Sequence, residues 1–381
     1  MFENAHHFNT HGGKFIDVGG NYYENAVYVG ESYSGMKTLY SRIATGALHN
    51  SYERRNAPRC HPGTRLEVLD HSLAWVQRPN PQADPIKLLW FDGPAGAGKS
   101  AIQQSIADRC NERKMLAASF FFSHQSDQRD SDRLLIATLA YQLAQKLDTA
   151  RDSITTAVVN DHSVFDRDHM YQLDALIIRP ITAAIVGNPA AVAEWPKAII
   201  IDGLDECKEE GQQKAVLVAL HEAVVKHKLP FSIIIASRAD PAVREFFYLI
   251  GEGCMKRIEL NTIYQADNDI AVYLRSEFDI MCQKYRIEKG SWPSKEEVQG
   301  LVAKASGQFI YAATALKFID GPSQRPKHNI GLILQVELTH GCALRSHSEQ
   351  VRGTTADSDH SVGHRDISAI SGHRYQQPLW I

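Results

Sequence analysis

The sequence predicts an α/β fold in which a parallel β-sheet is covered by helices and is followed by a small helical domain. Between residues 86 and 236, short apolar runs alternate with segments of helical periodicity, as is typical of strands joined by crossover helices. A glycine-rich loop lies between the first apolar run and the first helical segment. Beyond about residue 260 the strand patterns stop and helical patterns take over, which favours a separate helical domain.

The individual elements follow from the spacing of apolar residues. Apolar runs predict strands over residues 86–91, 116–122, 198–201 and 231–236. Apolar residues three or four positions apart predict helices over residues 101–109, 132–147, 212–225, 267–278 and 294–305. Ser294 and Glu297 form a capping-box pattern at the start of the last helix. Thr64 and Glu67 form the same pattern before an apolar stripe that ends near Trp75.

Composition limits the classes of function. The chain has 381 residues, of which 44% are hydrophobic, and its 41 Lys and Arg against 44 Asp and Glu give a net charge of -3. A chain without excess positive charge has little attraction for the nucleic-acid backbone, so no nucleic-acid partner is expected. The six cysteines are widely spaced and form no CxxC pair. This favours free thiols in a reducing compartment over disulfides or a zinc site.

The N-terminal region offers no targeting signal. It lacks the features of a secretory peptide, and no apolar run reaches the ~20 residues that span a bilayer, so a cytoplasmic protein without a membrane span is expected. His6, His7 and His11 have no Cys or carboxylate at ligand spacing, and we interpret them as solvated. Two β-like runs over residues 14–18 and 22–29 flank Gly-Gly-Asn and predict a hairpin.

The glycine-rich segment follows the first predicted strand and opens the first predicted helix. Backbone N–H groups that converge at a helix N-terminus can hold phosphates, Lys99 supplies a charge for the β- and γ-phosphates, and the Ser100 hydroxyl is placed to bind Mg²⁺. The alternative is a glycine turn that contains Lys-Ser by chance, but the flanking strand and helix favour a P-loop that binds a nucleoside triphosphate with Mg²⁺. The loop residues are Gly93, Pro94, Ala95, Gly96, Ala97, Gly98, Lys99 and Ser100.

Acidic residues follow the third predicted strand. Asp202 comes directly after the apolar run 198–201, where a carboxylate can reach the Mg²⁺ shell of a P-loop. Asp205 and Glu206 follow within a short turn, and either could orient or deprotonate an attacking water. The alternative is that these two residues only cap the next helix, whose first turn favours negative charge.

Arginines stand at two loops where the predicted strands end. Arg238 follows the fourth predicted strand, at the edge where ligands bind in open α/β sheets, so it could sense the γ-phosphate. A surface arginine that caps a loop carbonyl is the alternative. Arg129 and Arg133, in the loop after the second strand, could contact phosphate in trans, but a solvated charged loop is the simpler interpretation.

These segments together resemble the NACHT domain of STAND-class signalling ATPases, particularly a large fungal group similar to the nephrocystin-type NACHT. The most diagnostic feature is Gly203 directly after Asp202, with the acidic pair displaced to Asp205 and Glu206. The resemblance covers about residues 60–320. It implies that residues 63–65 (Gly-Thr-Arg) lie near the base and that Arg238 acts as a γ-phosphate sensor.

The resemblance also implies a division of the chain. Residues 1–59 are an N-terminal extension of unknown role, residues 60–255 a NACHT-like P-loop NTPase domain, residues 256–330 a helical domain and residues 331–381 a polar tail of little order. Members of this family normally continue into ankyrin, WD40 or TPR repeats that sense a ligand. The polar tail does not resemble these repeats, so the chain is expected to lack that sensor.

The family implies a signalling switch of the innate-immunity type. ADP would hold a closed form, and exchange for ATP, which is favoured over GTP, would open it into a homo-oligomer that drives an effector protein. Slow hydrolysis, with Mg²⁺ as cofactor, would act as a timer. Two alternatives stay open: a nucleotide-binding scaffold fragment without signalling activity, and a conventional NTPase or kinase.

Overall fold

The computed structural model describes residues 26–78, 84–250, 253–260, 266–321 and 325–335. Most of the predicted N-terminal hairpin, the three N-terminal histidines and the polar tail from residue 336 lie outside the described residues. Within the described part, residues 26–29 begin a helix, so the prediction of a strand over residues 22–29 is wrong at its C-terminal end.

Five strands form a single parallel sheet, which confirms the predicted fold class. They are β1 (Leu88–Asp92), β2 (Leu116–Phe121), β3 (Ala198–Asp202), β4 (Ser232–Ser237) and β5 (Met255–Glu259). Their order across the sheet is β2-β3-β4-β1-β5. Asp92 pairs with Ser237, and Phe121 pairs with Asp202. The register therefore brings the carboxyl ends of β1, β2, β3 and β4 to one edge of the sheet.

The four predicted strands are buried along their whole length, as expected for parallel strands with helices on both faces. Ile199, Ile201 and Ile235 face one core, and Ile200 and Ile234 face the other. Strand β5 was missed because its Lys and Arg are exposed and interrupt any apolar run. It pairs with β1 through Glu259, so the sheet continues across the predicted boundary at residues 255 and 256.

Thirteen α-helices lie within the described residues. The N-terminal half of the chain contains α1 (Ala26–Tyr40), α2 (Leu66–Gln77), α3 (Lys99–Glu112), α4 (Leu135–Lys146), α5 (Asp148–Asn160), α6 (His169–Leu173) and α7 (Arg179–Gly187). The remaining helices are α8 (Glu210–His221), α9 (Pro241–Ile250), α10 (Ala266–Lys284), α11 (Lys295–Ala305), α12 (Phe309–Ile319) and α13 (Pro326–Gln335). A π-helical segment, Asp174–Ile178, joins α6 to α7, and another, Glu222–Lys226, extends α8.

The described residues before position 60 contribute to the α/β core through Leu39, Ile43, Ala44 and Ala47. Gly35 on α1 meets Thr155 on α5 so closely that a Cβ at position 35 would lie 2.6 Å from the Thr155 carbonyl oxygen. Ser32 donates a hydrogen bond to Asp152 at 3.1 Å. Helix α1 therefore gains its stability from tertiary packing, which overrides the β-propensity of the sequence at its start.

Helices α10 to α13 pack around a core of their own, and we call them the helical module. Ile270, Leu274, Phe278, Leu301 and Leu316 belong to this core. The Ser294–Glu297 capping box at the start of α11 is confirmed. In the part of the chain that the structure describes, His169–Gly187 is the one stretch with the length and hydropathy of a membrane span, and 44% of its apolar window is buried inside the protein.

The second predicted capping box is wrong. Helix α2 begins after Arg65, which has a φ of 55° and caps the helix without a side-chain hydrogen bond. The Thr64 hydroxyl instead donates to the carbonyl of His61 at 2.7 Å. The physical reason is tertiary, because the Arg65 guanidinium is buried against the P-loop, where its Nη2 donates to the Ala97 carbonyl at 3.1 Å.

Candidate functional site

The loop between β1 and α3 is shaped to receive anions. Gly96 and Gly98 have φ values of 82° and 91°, in the left-handed region that favours glycine. Gly98 is the N-cap of α3, so the free N–H groups of the first helical turn lie at this loop. A loop of this form at the start of a 14-residue helix fits a phosphate chain.

The side chain of Lys99 extends along the P-loop toward its first residues, Gly93 and Pro94. Its Nζ donates to the carbonyl oxygens of Gly93 at 2.6 Å and Pro94 at 3.1 Å. Burial lowers the pKa of Lys99, whereas the carboxylates of Asp205 and Asp202 raise it. The ammonium group is therefore held beside the loop that would carry the phosphates, on the side where the acids of β3 lie.

Asp202 ends β3 and is almost completely buried, with 3% of its surface exposed. Burial raises the pKa of its carboxyl group to about 6, whereas Arg54 and a hydrogen bond from Ser100 lower it. Its Oδ1 finds no hydrogen-bond partner among the described residues. A buried carboxylate oxygen without a partner, beside a serine hydroxyl, is a donor set that fits Mg²⁺.

The structure separates the roles that Asp205 and Glu206 can take. Both lie in a 3₁₀ turn, Leu204–Glu206, whereas the next helix begins later and is capped by Glu209. Neither residue is therefore the N-cap of α8. Asp205 is engaged by Arg238, whose backbone N–H donates to Oδ1 at 3.1 Å and whose Nε donates to Oδ2 at 2.6 Å.

Glu206 contacts His124 rather than Arg238, and it also lines a cavity. Its Oε2 lies 3.0 Å from Nδ1 of His124 and accepts a hydrogen bond from the His124 N–H at 3.2 Å. The cavity has a volume of about 300 Å³, and we call it the Asp202 cavity. Its lining includes Arg54, Ser100, Arg129, Asp202 and Glu206. Glu206 thus lies beside the proposed Mg²⁺ ligands, while Asp205 holds Arg238.

Arg238 follows β4 with its side chain half exposed. The hydrogen bond to Asp205 is the largest cause that raises the pKa of Arg238. The partner of this arginine is therefore a carboxylate, not the loop carbonyl of the alternative interpretation. Because the pair is solvent-accessible on the arginine side, an added anion could compete with Asp205 for the guanidinium.

A second cleft joins the P-loop to the helical module. It is lined by Arg65, Gly98, Tyr273 and Phe309, among others. The Arg65 guanidinium is buried 5.0 Å from the centre of the Phe309 ring, and its Nε lies 3.8 Å from Asp269. The sequence placed residues 63–65 near a base only by resemblance. Tyr273 of α10 was missed, because nothing local in the sequence shows that this helix meets the P-loop.

The helical module also contacts the P-loop directly. The backbone N–H of Ile310, at the start of α12, donates to the Gly96 carbonyl at 3.3 Å. A Cβ at position 96 would lie 2.3 Å from Cγ2 of Ile310. The close approach of the two segments therefore requires glycine at position 96 for space as well as for its φ.

Replacing Gly96 with alanine is expected to loosen the helical module from the P-loop. Overpacking of this kind costs about 1–3 kcal/mol, so amide hydrogen exchange at the start of α12 should accelerate about tenfold. Gly98→Ala is the matched control, because Gly98 has the same positive φ but no described atom lies within 4 Å of its Cβ position. Adding Ile310→Ala to Gly96→Ala should restore slow exchange. Equal acceleration in Gly96→Ala and Gly98→Ala would show that strain in the loop, not contact with Ile310, is responsible.

Comparison with known families agrees with this geometry. Residues 63–238 match the family model described as Nephrocystin 3, N-terminal. The match includes the P-loop and Asp202 and ends at Arg238, whereas Arg54 and the helical module lie outside it. The fold, the loop and this match together define a nucleotide-binding P-loop NTPase. No curated protein matches the chain significantly.

Some solved structures are distantly similar. A chain in the structure of C. elegans PCH-2 is 11% identical, with a TM-score of 0.36, over 76% of this chain and 72% of that one. A chain in the structure of Drosophila ORC bound to AT-rich DNA and Cdc6 is 12% identical, with a TM-score of 0.30. That match covers 87% of this chain and 50% of the other, so this chain spans about half of that relative's length. Neither likeness is near enough to assign a function.

Proposed function

We propose that the chain is an ATP-binding, Mg²⁺-dependent signalling switch of the NACHT type that hydrolyses ATP slowly. The observation that carries this proposal is that two contacts between separate segments lie beside the P-loop. Arg238 is held by Asp205 at 2.6 Å, and the helical module rests on Gly96 through Ile310. A ligand can shift a conformational equilibrium only by contacts that differ between the two states, and these contacts lie where such differences would arise.

Each group of site residues would have a separate role in binding the nucleotide. The loop from Gly93 to Ser100 would hold the phosphates, with Lys99 at the β- and γ-phosphates. Ser100 and Asp202 would hold Mg²⁺, which neutralises charge on the phosphates when bound. Glu206 is the stronger choice to orient an attacking water, since it faces the Asp202 cavity.

The γ-phosphate offers Arg238 a second anionic partner. Release of Arg238 from Asp205 would change the contacts at the tip of β4, and this is how the site would distinguish a triphosphate from a diphosphate. Residues 63–65 and the cleft beside Phe309 would contain the base. The conventional NTPase or kinase gains no support from these contacts.

The same proposal includes a location and partners. The protein would be cytoplasmic, would form a homo-oligomer when it binds ATP, and would act on an effector protein. It would not bind nucleic acid. The five described cysteines are all free thiols, which suits a reducing compartment.

The switch is tested by the size of the full chain in each nucleotide. With Mg²⁺ and ATP, light scattering after size exclusion should show a larger species than with ADP, and GTP should be less effective. Arg238→Ala should still bind nucleotide but lose the ATP-dependent change in size. Arg244→Ala, which removes an exposed arginine of α9, is the control and should behave as wild type. Tight ATP binding without any change in size would favour the scaffold alternative.

A further inference from the structure

A segment outside the family match is fixed along the helix that begins at the P-loop. Gln104 of α3 is completely buried, and its Nε2 donates to the carbonyl of His49 at 2.9 Å. The Cys60 N–H donates to Ser105 at 2.9 Å. Residues 49–60 are therefore bound to α3 near both ends, and we call them the clamp segment.

The clamp segment holds Arg54 in a defined position. Its Nε and Nη2 both donate to Oε1 of Gln104, at 3.0 and 2.9 Å. Its guanidinium lies 3.7 Å from the centre of the Phe121 ring. Burial lowers the pKa of Arg54 to about 10, and the charge of Asp202 raises it, so the side chain is a cation at neutral pH. An arginine fixed on one edge and one face is preorganised to bind an anion.

Arg129 approaches the same space from the loop after β2. Its Nη2 lies 3.2 Å from Glu53 of the clamp segment, and its side chain is 12% exposed. Its Nε is buried and finds no hydrogen-bond partner within the part of the chain described. Arg54 and Arg129 both line the Asp202 cavity. This cavity therefore combines an unpaired acceptor on Asp202 with two cations, one of which has an unpaired donor.

We propose that Arg54 and Arg129 contact the terminal phosphoryl group of a nucleoside triphosphate from the Asp202 side of the P-loop. This inference rests on the proposed function, because it requires nucleotide at the P-loop. It assigns the clamp segment a part in the site, namely to supply in cis a cation that prefers a triphosphate to a diphosphate. Charge-assisted hydrogen bonds from a fixed guanidinium to phosphate give both strength and geometric selectivity.

The test compares the affinities for Mg²⁺-ATP and ADP in the full chain with fluorescent analogues of both nucleotides. Arg54→Ala should weaken Mg²⁺-ATP about tenfold and ADP by less than about twofold, as expected for one lost charge-assisted contact. Arg54→Lys should recover part of the loss. Arg55→Ala is the matched control, because Arg55 is exposed and lies over the Tyr52 ring at 4.0 Å; it should change neither affinity.

A purely structural role of Arg54 has a different signature. If Arg54 only attaches the clamp segment, Arg54→Ala will weaken both nucleotides equally and lower the melting temperature of the nucleotide-free protein, which would overturn the inference. Should Arg54→Ala fail to fold, Arg129→Gln tests the same cavity from another loop and should also weaken Mg²⁺-ATP selectively. No selective loss in Arg129→Gln would likewise overturn it. If the wild type binds neither nucleotide, the proposed function fails as well; if only the Arg54 and Arg129 effects are missing, that function stands alone.

Discussion

Replacing Lys99 with alanine is expected to weaken Mg²⁺-ATP binding at least about a hundredfold. The ammonium group would give charge-assisted hydrogen bonds to two phosphate groups, each worth about 1.5–3 kcal/mol, and a loss of about 2.8 kcal/mol corresponds to a hundredfold change in Kd. Within the described part of the chain, the hydrogen bonds of the Lys99 ammonium group go to the carbonyls of Gly93 and Pro94. Its loss should therefore cost the nucleotide-free protein little stability. Isothermal titration with ATP and thermal unfolding without it measure the two effects.

The control for this prediction lies beyond the other end of the same helix. Lys114 follows α3 and is exposed, so Lys114→Ala removes the same charge from the chain without touching the loop. It should leave the Kd unchanged. If both variants weakened ATP to the same degree, the effect of Lys99 would be one of net charge, and the assignment of the loop as a phosphate site would lose its basis.

The parts of the site that could be predicted from the sequence are those formed by short contiguous motifs. The P-loop and Asp202 each follow a buried apolar strand, and this spacing alone predicts a phosphate and Mg²⁺ site. Parallel strands end at a common edge, so their convergence could be expected without coordinates. Strands β1 to β4 could be predicted from the sequence as well, since burial on both faces of the sheet makes each of them a continuous apolar run.

The contributions from outside these motifs could not be predicted. Arg54 stands in a short 3₁₀ turn with no periodic pattern, and only its packing on Gln104 and Phe121 brings it to the Asp202 cavity. Phe309 and Ile310 begin an apolar helix, α12, whose sequence predicts a helix of the hydrophobic core and gives no sign of a contact with the P-loop. Strand β5 has only two buried apolar residues, Met255 and Ile258, and its Lys256 and Arg257 between them are exposed, so it forms no continuous apolar run. Each of these features depends on tertiary contacts between segments far apart in the chain.

The clamp segment and Arg65 both make hydrogen bonds to α3 or to the loop that precedes it. The clamp segment is bound to α3 through Gln104 and Ser105, and Arg65, which follows it, reaches the P-loop at Ala97. A shift of α3 or of the P-loop would therefore change its contacts with the clamp segment and with the helical module at the same time. In the proposed switch, nucleotide would act on the rest of the protein through these two segments.

Asp202→Asn is expected to remove the Mg²⁺ dependence of ATP binding while stabilising the nucleotide-free protein. The amide is a poor Mg²⁺ ligand compared with a carboxylate, so the gain in ATP affinity on adding Mg²⁺, about tenfold or more for one charge-assisted contact, should disappear. Without nucleotide, a buried charge whose Oδ1 lacks a partner in the described residues is removed. The free energy of unfolding should therefore rise by about 1–2 kcal/mol. Titrations with and without EDTA, and urea unfolding of the apo protein, measure these effects.

Asp92→Asn gives the contrast that identifies the cause. Asp92 ends β1 at the same sheet edge and is also buried, with 7% of its surface exposed, but its Oδ2 accepts a hydrogen bond from Nε of Arg257 at 3.1 Å. Loss of that paired charge should lower the free energy of unfolding, because Arg257 loses its buried partner and keeps the more exposed Glu259 at 2.8 Å, and ATP binding should still respond to Mg²⁺. Opposite signs of the stability change in the two variants would show that Asp202 is kept as a buried acid with Oδ1 free for its ligand. A fall in stability in both variants would mean that Asp202 is satisfied within the protein, and the assignment of a Mg²⁺ site there would be wrong.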